Sequence, residues 1–179
     1  IFSNKTINPL KTLIFKCICK IYTIVDRWRW RTYYSGMSKR FKYFGKNITF
    51  DYGIIFYGEK NISIGDNVFI GKNVIVNAAK GGEINVGSGS AIGANSTIIT
   101  WNLDNLNNQG LIRSKNLNII KDVNIGKGVG IGYNVTINPG ITLGDGCEVA
   151  AGSVVTKNVN KFEIVAGVPA IVIGMRKSL

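Results

Sequence analysis

From residue 64 onward, aliphatic side chains return at every sixth position. Ile64, Ile70 and Val76 form one run, and Val86, Ile92 and Ile98 a second. Ile125, Ile131, Ile137, Leu143, Val149 and Val155 form a third. Eleven of these twelve leading residues are β-branched, and Gly follows seven of them: Gly65, Gly71, Gly87, Gly93, Gly126, Gly132 and Gly144. Four places after ten of the twelve leaders stands another small or apolar residue, in the series Val68, Val74, Ser90, Ser96, Val129, Val135, Ile141, Cys147, Ser153 and Val159, with polar residues between. A period of six drifts around a helix of 3.6 residues per turn. It suits a β-solenoid, in which each face of a coil takes six residues and each leader stacks on its counterpart one coil away. β-Branched side chains fit such ladders, and Gly beside the corner is expected to supply backbone angles that other residues resist. With three faces per coil the pattern predicts about four coils; Ile48 and Ile54 add part of another. The fold class is thus an all-β solenoid of four to five coils.

Two interruptions break the count. Four extra residues lie between Val76 and Val86, around "NAAKGGEI", and twenty-one lie between Ile98 and Ile125. The first is expected to be a turn or bulge. The second predicts a loop over 99–122, and a polar insertion in a repeat protein is a natural place for function. Upstream, Leu10, Ile14, Ile18, Ile21 and Val25 recur at helical spacing, with Lys11, Lys16, Lys20 and Arg27 elsewhere on the helix. The chain therefore divides into a basic amphipathic helical segment (1–43), the repeat solenoid (44–160) and a C-terminal tail (161–179).

Charge sharpens that division. Of the net +12, residues 1–46 carry +10 and the repeat body only +2. A basic helix followed by "DRWRWRTYY" reads either as packing on the solenoid or as an interfacial segment, residues 1–34, on an anionic membrane surface. In the second reading Trp28, Trp30, Tyr33 and Tyr34 lie near the headgroups. Alternating cations and rings also suit nucleic acid, but nothing else in the sequence supports that partner, and none is expected. The apolar run "TLIFKCICKIYTIV" is broken by Lys16 and Lys20 and lacks a cleavage site. It reads as neither a secretory signal nor a membrane span. Cys17, Cys19 and Cys147 make no disulfide framework, and with no His in the chain no metal site is expected. A cytoplasmic location follows, peripheral on the inner face of the membrane if the basic segment binds there.

Residues 130–174, "GIGYNVTINPGITLGDGCEVAAGSVVTKNVNKFEIVAGVPAIVIG", carry "NPG", "AGSVVTK" and "AGVPA" in that order. In this the chain resembles the hexapeptide-repeat acyltransferases, over roughly residues 44–176. It looks most like the sugar O-acetyltransferases of surface-polysaccharide biosynthesis. The resemblance implies a left-handed parallel β-helix and a homotrimer with active sites in grooves between subunits. It also implies acetyl-CoA as donor and direct transfer to a hydroxyl or amine of a sugar or polysaccharide acceptor. It assigns coenzyme A contacts to Tyr133, Ala151, Thr156 and Lys157, and positioning of the acceptor to Asn77. Ile171 stands where the family often has Lys or Arg, so Arg176, with Lys177 beside it, is the expected replacement. Independently, the small run Ala150 to Gly152 would let a thin ligand lie against backbone, and Lys157 with Lys161 would meet phosphates.

The loop departs from the family where chemistry is expected. Its opening Thr-x-x-His reads Thr100-Trp101-Asn102-Leu103, so Leu103 occupies the place of the histidine base. Gly130 likewise stands where Trp is common. A zinc-dependent carbonic anhydrase of this fold, which needs three His, is excluded. The local carboxylate is Asp104, whose ordinary pKa of about 3.9 suits a base only if burial raises it. Asn102 and Trp101 would orient an acceptor, though Asn takes no proton. Three readings stay open: an O-acetyltransferase with an unusual base, an amino-sugar N-acyltransferase whose acceptor brings its own nucleophile, and a catalytically silent trimeric homologue or inactivated variant.

Overall fold

The structure, a computed structural model, describes residues 13–21, 24–25, 36–103 and 118–177. The chain forms two compact units, residues 1–37 and 38–179. In the first, residues 13–21 and 24–25 are helical. Leu13, Ile14, Phe15, Ile18, Ile21 and Val25 are all exposed on this unit, so the apolar surface is broader than the single expected face. Leu10, Trp28, Trp30, Tyr33 and Tyr34 lie outside the described residues. No helix among the described residues is long and apolar enough to cross a membrane.

The second unit is a parallel β-solenoid of five coils. The first coil is β1 (Tyr43–Phe44), β2 (Thr49–Phe50) and β3 (Ile55–Tyr57), and the second is β4 (Ile62–Ile64), β5 (Phe69–Ile70) and β6 (Ile75–Asn77). The third is β7 (Ile84–Val86), β8 (Ala91–Ile92) and β9 (Thr97–Ile99). After β10 (Trp101–Leu103) and β11 (Asn118–Ile120) come β12 (Val123–Ile125), β13 (Gly130–Ile131) and β14 (Thr136–Ile137), then β15 (Thr142–Leu143), β16 (Glu148–Val149) and β17 (Val154–Val155). Strands of successive coils pair in parallel to give three faces: A (β1-β4-β7-β12-β15), B (β2-β5-β8-β13-β16) and C (β3-β6-β9-β14-β17).

The six-residue leaders are the inward ladders. Ile64, Val86, Ile125 and Leu143 align on face A. Ile70, Ile92, Ile131 and Val149 align on face B, and Val76, Ile98, Ile137 and Val155 on face C. All are buried, as are the ten residues four places on. Burying a Val or Ile side chain contributes roughly 1.5–3 kcal/mol, so this double ladder dominates the unit's stability. The first coil keeps the same period with aromatic leaders, Phe44, Phe50 and Phe56, which counting aliphatic residues alone overlooks. With Phe41 they pack at 5.0–6.0 Å between ring centroids, edge to face except for the tilted pair Phe44 and Phe50. These rings fill the open end of the ladder, where no further coil supplies a neighbour. Ile48 and Ile54 take the secondary positions of this coil.

Gly has a different job from the expected one. The seven Gly after leaders do not have positive φ. A Cβ at Gly132 would lie 2.5 Å from the Ala151 backbone N, and one at Gly65 2.6 Å from the Ser88 backbone N. These positions are Gly because adjacent coils touch there. The left-handed turn comes two residues later, at Asn67, Asn73, Asn95 and Asn134 (φ 55, 56, 60 and 56) or at Gly89, Gly128, Gly146 and Gly152. Asn tolerates that conformation better than other side-chain-bearing residues.

Residues 161–179, expected as a tail, contain an antiparallel hairpin of β18 (Glu163–Gly167) and β19 (Ala170–Met175). β18 adds a sixth parallel rung to face B, with Val165 over Val149.

Candidate active site

Both interruptions emerge at one corner, between faces C and A, and they are stitched together there. Thr100, at the start of the long insertion, is fully buried. Its backbone N–H donates to the Asn77 carbonyl (3.1 Å). Its hydroxyl lies 2.7 Å from the Gly81 carbonyl and 3.3 Å from that of Asn77. The next residues leave the coil as β10, which pairs antiparallel with β11: Trp101 faces Ile120, Asn102 faces Ile119 and Leu103 faces Asn118. The expected loop thus begins and ends as a two-stranded ribbon. Asp104, the expected carboxylate base, lies outside the described residues.

Within this corner the structure joins two of the expected acceptor-side residues. The indole Nε1–H of Trp101 donates to Asn77 Oδ1 at 3.3 Å, and the Ala79 backbone N–H donates to the same oxygen at 3.1 Å. Both Asn77 and Trp101 are half-buried and Asn102 is exposed. Lys80, which the sequence reading passed over, places its ammonium 5.6 Å from the Trp101 ring centroid, within cation–π range. A sequence signal for this cluster exists: a ring and a cation at the roots of two insertions that share one corner.

The expected coenzyme A residues are distributed over three corners. Thr156 and Lys157 follow β17 at the C–A corner, both exposed. They stand three coils from Asn77, about 14 Å at the usual strand spacing. Tyr133 and Ala151 sit one above the other at the B–C corner, where the Gly152 N–H donates to the Tyr133 carbonyl at 2.8 Å. Tyr133 and Ala151 are also exposed. Arg176 is elsewhere, at the A–B corner. Its guanidinium donates to the carbonyls of Gly128 (3.3 Å) and Gly146 (3.2 Å) and lies 3.8 Å from the Glu148 carboxylate. It fastens the C-terminal hairpin to the coils. The exposed Lys157 remains at the cationic end of the C–A corner. Among the described residues no group of three or more His, Cys, Asp or Glu is placed to hold a metal ion.

Family models match two stretches of the chain: a bacterial transferase hexapeptide of six repeats over residues 122–157, and the hexapeptide repeat of succinyl-transferase over residues 61–99. No curated protein matches by sequence. Among solved structures, a hexapeptide-repeat acetyltransferase from Vibrio cholerae O1 biovar eltor, complexed with acetyl coenzyme A, is 30% identical. That alignment has a TM-score of 0.74 and covers 81% of this chain and 76% of that one. A maltose O-acetyltransferase from Clostridium difficile 630 is 30% identical with a TM-score of 0.72, over 79% of this chain and 73% of that one. The N-acyltransferase AntD from Bacillus cereus, solved as a mutant with dTDP and coenzyme A, is 26% identical with a TM-score of 0.61. It is covered over 87% of its length, against 79% of this chain. Coil geometry, matched repeats and these likenesses agree: the chain belongs to the hexapeptide-repeat acyltransferases.

Proposed function

We propose that this protein transfers the acetyl group of acetyl-CoA to a hydroxyl of a sugar in a surface polysaccharide or its precursor. The observation that carries the reading is the C–A corner. Asn77 is held by Trp101 at the root of the long insertion, with Thr156 and Lys157 on the same edge, in a chain 30% identical to a maltose O-acetyltransferase. Lys157 meets a phosphate of the donor, and Tyr133 and Ala151 line the donor's path across face C. The grooves lie between subunits of a homotrimer. Exposed Ile55 and Tyr57 on face C, and Ile171, Val172, Ile173 and Met175 on β19, support burial of this surface in an assembly.

In the transfer, the sugar oxygen attacks the thioester carbonyl, the new C–O bond forms, and the C–S bond breaks. The hydroxyl proton passes to a base and finally to the leaving thiolate. Asp104 is the nearest carboxylate in sequence to Leu103, where the family keeps its histidine. The absence of any His, together with the likeness to AntD, favours a second reading, acyl transfer to an amino sugar.

The test is release of free coenzyme A thiol from acetyl-CoA in the presence of maltose, glucose or galactose, with mass detection of the acetylated sugar. Formation of an acetyl ester is expected. No acetylated product from any hydroxy or amino sugar would leave a catalytically silent member of the family. We also assign residues 1–34 to an anionic membrane surface, supported by the charge of that segment and the exposed apolar residues at 13–25. Co-sedimentation with phosphatidylserine vesicles at low salt should be lost when 1–34 are removed. Its absence from the full chain would end that assignment.

A further inference from the structure

The polarity of the Asn77 amide is fixed by its neighbours, and that polarity selects a ligand. An amide oxygen has two lone-pair directions. At Asn77 both face donors: the Trp101 indole N–H at 3.3 Å and the Ala79 backbone N–H at 3.1 Å. Neither of these can accept a hydrogen bond in return. Turning the amide over would set its NH2 against two N–H groups, so the assignment of O and N follows from the partners and not from convention. The Nδ2 group therefore points away from both, and among the described residues it has no hydrogen-bond partner. Asn77 is half-buried, so a ligand can still reach it. The positive charge of Lys80 lies over the Trp101 ring beside it. The nearby carboxylate of Glu83 is paired with Lys42, and an Asp122 carboxylate oxygen accepts the Glu83 backbone N–H.

We propose that Trp101 is a positioning residue that holds the Asn77 amide with its N–H donors outward, so that an oxygen of the acceptor sugar, and not an ammonium, is bound beside Asn77. The proposal rests on the acyl-transfer reading and decides between its two acceptor classes. A hydroxyl or other sugar oxygen accepts from Nδ2. A sugar amine near neutral pH is mostly ammonium, which has donors only; placed there it would oppose the Asn77 N–H and feel the charge of Lys80. A polar group left unmatched in a site discriminates far more strongly than a change of shape.

Two readouts test this on the full chain. The chain has three Trp, so its indole N–H spectrum is simple and Trp101→Phe assigns the Trp101 resonance. Asn77→Ala should shift that resonance upfield and speed its exchange with solvent. An unmoved resonance would overturn the contact, whether or not the protein is active. For the chemistry, Trp101→Phe keeps an aromatic side chain but deletes the N–H donor along with part of the ring system. The KM for maltose should rise about threefold to tenfold, the worth of one hydrogen bond, with the KM for acetyl-CoA unchanged. Asn77→Asp turns an acceptor outward and should raise the glucosamine-to-glucose and galactosamine-to-galactose ratios by about tenfold or more. Wild-type preference for the amino sugar of each pair would overturn the proposal while leaving acyl transfer intact. Failure on every acceptor would remove the transfer reading, and the indole readout would still judge the Trp101 contact.

Discussion

The corners of the solenoid fall into two kinds. At the A–B and B–C corners the same short turn recurs coil after coil. From the second coil on, a Gly or Ala follows each leader, an Asn or Gly takes the left-handed conformation two residues later, and a buried residue closes the turn. At the C–A corner no two coils agree. One turns through Gly58, one carries the insertion ending in Gly81 and Gly82, one extends into β10 and β11, and one turns at Gly140. Where the backbone of one coil must rest on the next, composition is dictated; where it need not, the chain is free to carry chemistry. Asn77, Trp101, Thr156 and Lys157 all belong to the second kind of corner.

The sharpest way to break the comparison is to put the same small change into each kind. Gly93→Ala places a Cβ 2.5 Å from the backbone of Gly132. Backbone cannot yield as a flexible side chain does, so a loss of about 3 kcal/mol is expected in urea unfolding, near the upper end for overpacking. Lys157→Ala at the C–A corner should leave the unfolding midpoint within error and raise the KM for acetyl-CoA. If Gly93→Ala is as stable as wild type, the coils are not in contact as described. If Lys157→Ala leaves that KM unchanged, Lys157 is outside the donor site.

A smaller effect is expected from the polar groups inside the regular corners. Ser96 is fully buried, lies 3.0 Å from the Gly132 carbonyl through its hydroxyl and accepts from the Val135 N–H at 3.1 Å. Ser96→Ala leaves both backbone groups unmatched, at a cost of about 1–3 kcal/mol. Thermal unfolding with no measurable change would mean that water replaces the hydroxyl, and that these turns need no internal partner.

This contrast also explains what the sequence made legible. The ladders were readable because one physical demand, an aliphatic side chain stacked on its like, repeats every six residues. The reading ran short where the same demand is met by another residue type, as at Phe44, Phe50 and Phe56. Gly132 and its counterparts were found by position but given the wrong cause, because close approach and left-handed backbone both select Gly. Asn77 and Trp101 were each singled out, yet their hydrogen bond joins residues 24 apart. It depends on where two insertions leave the coil, which no local pattern encodes. Arg176 looked like a replacement for a basic residue near Ile171. Its actual neighbours, Gly128, Gly146 and Glu148, come together only when the last two coils stack and the hairpin folds back on them.

The smallest expected effects lie in the pH dependence of the regular part, and their signs oppose each other. The Asp145 carboxylate accepts the Lys127 backbone N–H and then pairs with Lys161, and these hold its pKa below the usual value. Hydrogen bonds from Asn160 lower that of Glu163. For both groups the folded state binds protons less readily than the unfolded chain. Their contribution is present above the ordinary carboxylate range and is lost as the pH falls through the depressed folded values. Both residues are half-buried at the surface, where solvent screening keeps the loss small. Cys147 works at the other limb. Burial pushes its thiol up to about 11, so the folded chain keeps its proton while the unfolded one ionises from about pH 8.5. Stability should then decline as the pH climbs from there through the folded value. Thermal unfolding midpoints measured from pH 3 to pH 11 are expected to fall at both ends. Asp145→Asn should flatten the acid limb alone, and Cys147→Ala the alkaline limb alone. An acid limb unchanged by Asp145→Asn would mean that the Lys127 and Lys161 contacts contribute nothing in solution, and that the ladders of the regular corners hold the coils together without help from charge.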